Sequence, residues 1–313
     1  MQVMTRLAAL PLDHDVRMAR VRLALDGLSL GDSFGQHFFA PELWRTQFNS
    51  RELPPSPWTY TDDTEMALAI ADVLARHGEI VQDQLAGGFA RRFGVNPYRG
   101  YGSGAIEVLQ AIEAGRSWRE AAAGLFDGRG SLGNGAAMRA APVGAYFAGD
   151  FEAVIEQARK SAEVTHTHPD GIAGAIAVAA AAAWAANRRA TEDANRAESL
   201  FECVLEHTPE SATRQGIEAA ARLPLEVWEF HAAGKLGNGA DIRSADTVPF
   251  CLWVVARHLD DFTEALWTSS RVGGDADTTG AIIGGILALA VGPERLPINW
   301  LAKREELLIS FDA

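Results

Sequence analysis

Apolar positions along the chain recur at helical spacing, and period-two alternation is almost absent. In "TDDTEMALAIADVLARHG", Met66, Ile70, Val73 and Leu74 fall on one helical face. Asp62 and Glu65 stand at capping-box spacing there, and Gly78 sits where a helix stops. "GSGAIEVLQAIEAG" ends in the same way at Gly115, and "SWREAAAGLF" opens on Ser117 as a cap. Similar patterns predict helices over 16–30, 82–93, 151–163, 171–186, 192–207, 247–258, 262–272 and 279–291. "PELWRTQFNSRELPPSPW" is the one long irregular segment, and its prolines at 54, 55 and 57 forbid helix. Ordered loops of this length serve as lids or as plain surface excursions. With no Ser/Gly-rich or Pro-rich linker, the expectation is one all-α domain over residues 1–313.

Composition supports a globular chain, 48% hydrophobic and 22% charged. The stretch 172–186 is Ala-dominated but shorter than the roughly 20 residues of a membrane span, so a buried core helix is expected. No secretory signal is read at the N-terminus, where Asp13, His14 and Asp15 follow a short apolar run. A net charge of −13 excludes bulk nucleic-acid binding, which needs basic patches. It fits attraction of metal cations, although acidic surfaces are more often simply solubilising. Cys203 and Cys251 match no metal-ligand or redox spacing, which suggests buried free thiols in a reducing, cytoplasmic setting. Nothing demands a membrane or a partner chain, so a monomer is expected.

Two acidic clusters carry the first candidate chemistry. "YTDDTE" places Asp62 and Asp63 side by side between Thr61 and Thr64, and "GGDADTTG" places Asp275 and Asp277 before Thr278 and Thr279. Each cluster opens an apolar helix. An acidic N-cap would explain one Asp per cluster. Adjacent carboxylates repel, so a second pair with the same threonine accompaniment points beyond capping. Carboxylates with hydroxyl oxygens suit hard cations such as Mg²⁺ or Mn²⁺. Four carboxylates and two threonines could hold two ions roughly 3.5–4 Å apart, as in binuclear hydrolytic sites.

Glycine turns carry the second. "GSLGNGAAMRAAPVG" sets Gly130, Gly133 and Gly135 around Asn134 before Met138 and Arg139. Glycines admit an anion close to the backbone, and a following helix N-terminus would add N–H donors. A diphosphate would fit; an ordinary Asn-Gly turn in left-handed conformation is the simpler alternative. "LGNGADIRSA" from Leu236 echoes "LGNGAAMRAA" from Leu132, and "GDSFG" and "RGYGSG" are further glycine-bracketed turns. His166 and His168 in "EVTHTHPDG" lack a third nitrogen or sulfur ligand nearby, so His166 reads as a packing residue or as a pocket lining.

Taken together, "GLSLGDSFG", "YTDDTEMAL", "RGYGSG", "GSLGNGAAMRAAPVG", "THTHPDGIAGA", "TVPFCLW" and "GGDADTTGAIIGGI" resemble, in order, the ADP-ribosylglycohydrolase family. The likeness spans roughly Leu23 to Val291. It implies an all-α fold with a binuclear Mg²⁺ or Mn²⁺ centre at the base of a cleft. Its ligands would be Thr61, Asp62, Asp63, Asp275, Asp277 and Thr278. The diphosphate cradle would comprise Ser131, Gly133, Asn134, Gly135 and Met138, with His166 lining the ADP-ribose site and Tyr101, Gly102 and Ser103 further along the cleft.

The implied reaction is hydrolysis of the glycosidic bond between ADP-ribose and a modified protein or small molecule. Carboxylates would stabilise oxocarbenium character, and Asp63 or Asp277 would act as base. Serine-linked members of the family carry a glutamate soon after the GDxxG turn; here Phe39 stands near that position, with Glu42 beyond it. That departure tilts the expectation toward arginine-linked substrates. Hydrolysis of serine-linked or small-molecule conjugates, a non-catalytic binding relative and a two-metal phosphoesterase are the alternatives.

Overall fold

The computed structural model describes residues 10–39, 48, 50–188 and 195–309. Among them no strand occurs; two isolated bridges, Trp58 with Arg304 and Gly133 with Arg243, are the only extended pairings. The helices pack around one large apolar core, with a small satellite cluster of Val108, Ala122 and Leu125.

Two helices set the geometry of everything that follows. α1 (His14–Gln36) and α14 (Ala276–Val291) run antiparallel along a seam of small residues. A Cβ added at Gly27 would lie 2.2 Å from Gly284 O, at Gly31 1.9 Å from Gly280 O, and at Gly35 2.0 Å from Ala276 O. No real side chain tolerates such distances, so glycine alone lets the two backbones meet. The seam brings the end of α1, with Asp32, against the first turn of α14, with Asp277.

The helix predicted from "TDDTEMALAIADVLARHG" is α2 (Asp62–His77), closed by Gly78 in the left-handed region at φ 67°. Its cap is Thr61 rather than Asp62: the Thr61 hydroxyl accepts from the Asp63 amide, and Asp62 is already helical. Tyr60 and Thr61 enter α2 braced by the C-terminal segment. Trp58 N–H donates to Lys303 O at 2.7 Å, Glu305 N–H to Trp58 O at 2.9 Å, and Tyr60 N–H to the Glu305 carboxylate at 2.7 Å. Behind this crossing Phe34 stacks on Trp300 at 4.6 Å and meets Trp267 and Trp58 edge-on or tilted.

The apolar stretch at 172–186 lies inside α8 (Pro169–Arg188), buried against its neighbours through Ala185. It is the one described helix long and apolar enough to cross a membrane, and 78% of it is buried in the fold, as expected of a core helix. α7 (Phe151–Glu163) has the predicted bounds, and α12 (Ser244–Arg257) and α13 (Phe262–Arg271) lie within three residues of theirs. No helix spans 51–58, where the prolines fall; most of 40–49 lies outside the described residues, and with it Glu42. Neither cysteine is in a disulfide; Cys251 is buried, and Cys203 is only half-buried.

Candidate metal centre and cleft

Asp32, Asp63 and Asp277 bring carboxylate oxygens within 4.8 Å of one another at the crossing of α1, α2 and α14. Asp32 is fully buried, and both of its oxygens are occupied. Thr61 N–H donates to both, at 3.1 and 3.0 Å, and the Thr64 N–H and hydroxyl donate to Oδ2 at 3.2 and 2.5 Å. The Thr61 hydroxyl lies 2.9 Å from an oxygen of Asp32 and 2.9 Å from an oxygen of Asp63. Asp63 Oδ1 is buried and has no hydrogen-bond partner among the described residues.

Burial drives the electrostatics. It pushes the Asp32 carboxyl up to about 6, against the hydrogen bonds from Thr64 and Thr61 that favour its charge. Asp62 is pushed up to about 8 by burial, reinforced by the charges of Asp32 and Asp275. Asp63 is raised well above the ordinary carboxylate range by burial and then by Asp277 and Asp32, and Asp277 by burial and then by Asp275. Like charges held together out of water, with one oxygen unpaired, form a site that a hard cation relieves. The donor set therefore fits a divalent metal.

Asp275 is held by both glycine turns. Asn134 Nδ2 donates to Asp275 Oδ2 at 2.7 Å and lies 3.1 Å from the Thr247 hydroxyl, while the Asp275 amide donates to Asn238 O at 3.1 Å. The two echoed sequences meet in space: Ser244 N–H donates to Leu132 O, Asn134 N–H to Ile242 O, and the Ser244 hydroxyl to Gly133 O at 2.8 Å. Their similarity thus serves a paired platform beneath one carboxylate.

The first turn departs from expectation in two ways. Gly133 has φ −63°, and neither Asn134 nor Gly135 is left-handed, so the Asn-Gly pair is no tight left-handed turn. No long helix follows directly either: a single 3-10 turn, Asn134–Ala136, precedes a six-residue helix starting at Ala141. The glycines instead allow a close approach, since a Cβ on Gly135 would lie 3.1 Å from the His166 ring and one on Gly133 3.3 Å from His166 Nε2, tight contacts that the ring would have to yield to.

A cleft of about 550 Å³ opens above the carboxylates. Asp62, Asp63, Asp275, Asp277 and Thr278 line it, as do Ser131, Gly133, Asn134, Gly135, Met138, His166, Gly102 and Ser103. Thr61 stands behind the carboxylates, holding Asp32 and Asp63. Tyr101 does not line the cleft: its ring packs edge-on against Phe93, 5.1 Å away, and is buried. His166 is buried, and its imidazole is pushed down to about 3 by burial and by the nearby Arg139 cation. His166 and His168 join no described metal cluster.

Sequence reasoning missed Asp32, Phe126 and Ile242. An acidic residue inside the apolar run "LSLGDSFG" was the available signal for Asp32. Phe126 and Ile242 are half or more exposed, line the cleft and hold left-handed backbone at φ 53° and 56°. Such strain on bulky residues collects at binding sites, and no local pattern announces it.

Known proteins resemble this chain along most of its length. The sequence profile of the ADP-ribosylglycohydrolase family matches residues 13–312. ADP-ribosylhydrolase ARH3 of Xenopus tropicalis is 29% identical, with 92% of this chain and 91% of that one aligned. The Homo sapiens protein of the same name is 27% identical over 90% and 88%. The Escherichia coli protein YegU is 27% identical over 85% and 86%. A solved ADP-ribosylglycohydrolase-related protein complex contains a chain of the same fold, with a TM-score of 0.64 and 24% identity over 92% of this chain and 93% of that one.

Proposed function

The chain belongs to the ADP-ribosylglycohydrolase family, and from that premise we propose that it hydrolyses the glycosidic bond joining ADP-ribose to a modified target, with divalent metal ions held by its buried carboxylates. The observation that carries the proposal is the convergence of Asp32, Asp63 and Asp277 within 4.8 Å, with one Asp63 oxygen unpaired. Asp62, Asp63, Asp275, Asp277, Thr61 and Thr278 would hold two ions, Mg²⁺ or Mn²⁺, with Asp32 bracing Thr61 and Thr64 from behind. When bound, the metal would supply fixed positive charge for orienting ribose hydroxyls and lowering the pKa of water.

The chain's own groups account for the rest. The acidic floor stabilises positive charge developing on the anomeric carbon as the bond breaks. Asp63 or Asp277 takes the proton of the attacking water. Backbone and hydroxyl groups at Ser131–Gly135, with Met138 and His166, line the wall where the diphosphate would lie, and Phe126 and Ile242 offer apolar surface for a planar base at the mouth.

For the linkage we propose arginine. Phe39, half exposed, occupies the region where serine-linked members carry a glutamate. A second reading, that the chain accepts the same conjugates as the relatives called ADP-ribosylhydrolase ARH3, is favoured by likeness along nearly all of their length. Incubation with arginine-linked and serine-linked ADP-ribosyl peptides, each with Mg²⁺, Mn²⁺ or chelator, separates the two. Mass spectrometry should find intact ADP-ribose, metal-dependent, from the arginine-linked peptide. AMP among the products would identify a phosphoesterase instead, and no release from either peptide would refute both linkages and leave a small-molecule conjugate or a non-catalytic binding role.

A further inference from the structure

Arg139 is a large charged side chain with no accessible surface, and none of its hydrogen bonds among the described residues goes to a carboxylate. Its guanidinium donates to Ser161 O at 3.2 Å and to the Thr165 hydroxyl at 2.8 Å. It also lies 3.3 Å from Met66 Sδ and 4.4 Å above the Phe89 ring. Burying an arginine without a paired anion is costly, and the core offers no packing reason to keep a charge there. Burial lowers its pKa to about 9, opposed by the charge of Asp62, so it remains a cation at neutral pH.

The Thr165 hydroxyl also stands 2.7 Å from His166 Nδ1. The logic of protons then fixes the rest. Arg139 can only donate, so Thr165 Oγ1 accepts from it. Thr165 is buried and makes no other described side-chain hydrogen bond, so its own proton has one acceptor within reach, His166 Nδ1. Nδ1 is then unprotonated, and the ring proton sits on Nε2. That nitrogen faces the glycine turn, 3.3 Å from where a Cβ of Gly133 or Gly135 would stand.

We propose that Arg139 is a positioning residue which, through the Thr165 hydroxyl, locks His166 as the neutral Nε2–H tautomer and so presents a fixed hydrogen-bond donor to the cleft wall at Gly133–Gly135. The relay rests only on the contacts among Arg139, Thr165 and His166. That its donor serves an oxygen of an ADP-ribose diphosphate rests on the function proposed above. The cation keeps Thr165 from turning its proton away, and its charge opposes a second proton on the imidazole. Without the relay the ring could place its proton on either nitrogen, and half the orientations would offer the ligand a lone pair instead of a donor.

The test is a long-range ¹H–¹⁵N correlation spectrum of the histidine-labelled full chain at pH 7, with the His166 signal assigned by its loss in His166→Gln. The wild type should show a neutral Nε2–H ring. Thr165→Ser, which keeps the hydroxyl, should show the same pattern, whereas Thr165→Val should show the Nδ1–H form or a mixture. Calorimetry with ADP-ribose should find binding weakened roughly tenfold by Thr165→Val and restored in Thr165→Ser, the scale of one hydrogen bond. Arg139→Met tests the charge directly, and the Thr165 pair decides the matter should that variant not fold. An Nδ1–H or doubly protonated His166 in the wild type overturns the proposal, as do identical spectra for Thr165→Ser and Thr165→Val. The predicted tautomers without any ADP-ribose binding would sustain the lock and count against the proposed function alone.

Discussion

Asn134 donates a 2.7 Å hydrogen bond to Asp275, joining the glycine turn that faces the cleft to the second acidic cluster. The bond leaves one Asp275 oxygen committed to the turn and orients the other. Groups that orient metal-binding carboxylates commonly govern affinity by about 10–100-fold. Asn134→Ala should therefore weaken Mn²⁺ binding by about tenfold or more, read by calorimetry. Asn134→Asp also loses the donor, but the carboxylate it sets beside Asp275 adds charge that attracts the cation, so it should bind Mn²⁺ more tightly than Asn134→Ala. Equal affinities in all three proteins would show that Asp275 needs no such support.

The raised carboxyls give a signed pH prediction. Asp32 and Asp62 titrate at about 6 and about 8 in the fold, and Asp63 and Asp277 are displaced in the same direction. In the unfolded chain such groups lose their protons near pH 4. The native state thus binds more protons than the unfolded state above that pH. The stability these groups contribute is full below about pH 4 and is lost as pH rises through about 6 to 8. In chelator, the melting temperature should fall between pH 5 and 8.5. Saturating Mn²⁺ or Mg²⁺ should raise it, and by more at pH 8 than at pH 5.5, since cation binding displaces those protons. Parallel profiles with and without metal would separate the carboxylates from the ion.

The glycine seam makes a stability prediction. Gly31→Ala places a methyl 1.9 Å from Gly280 O, and the contact is backbone on backbone, so no side chain can give way. Overpacking of this kind costs about 1–3 kcal/mol and more where nothing can shift. Gly234→Ala, at a helical glycine with nothing within 4 Å, should instead be neutral or stabilising by up to about 1 kcal/mol through helix propensity. Chemical denaturation of both variants checks the contrast. Gly31→Ala should also weaken divalent binding, because the seam holds Asp32 against Asp277.

Much of this arrangement was legible in the sequence, for definite reasons. Helical periodicity reveals α7, whose apolar face is one-sided, and Gly78 marks the stop of α2. α14 is apolar on every side, so its length was legible but not its orientation. The two acidic clusters were legible because adjacent carboxylates are costly without a use. Thr61 displaced Asp62 as the cap because a hydroxyl can accept from the Asp63 amide while staying near Asp32, which leaves Asp62 for the cleft. Tyr101 was misplaced because a glycine-bracketed turn does not say which way its aromatic faces, and Phe93 supplied a core to turn into. Phe126 and Ile242 depend on strained backbone at the cleft mouth, which only the assembled fold imposes.

Asp32 yields the last prediction, because its two jobs can be separated. It accepts from both backbone amides and hydroxyls of Thr61 and Thr64, and its charge belongs to the cluster with Asp63 and Asp277. Asp32→Asn keeps the shape but replaces one accepting oxygen with an NH₂ group facing donors. Losing a charge-assisted acceptor costs about 1.5–3 kcal/mol per well-formed bond. Part of that loss is offset by relief of repulsion on Asp62, Asp63 and Asp277, for each of which Asp32 is a raising charge. The metal-free variant should therefore be only modestly destabilised, whereas the metal-induced rise in melting temperature should nearly vanish. Asp26→Asn is the control: that carboxylate lies on the same helix but pairs with Arg304 outside the cluster, so its metal response should match the wild type. A full metal response in Asp32→Asn would mean that Asp32 serves only to hold Thr61 and Thr64, and that Asp63 and Asp277 bind the cation without its charge.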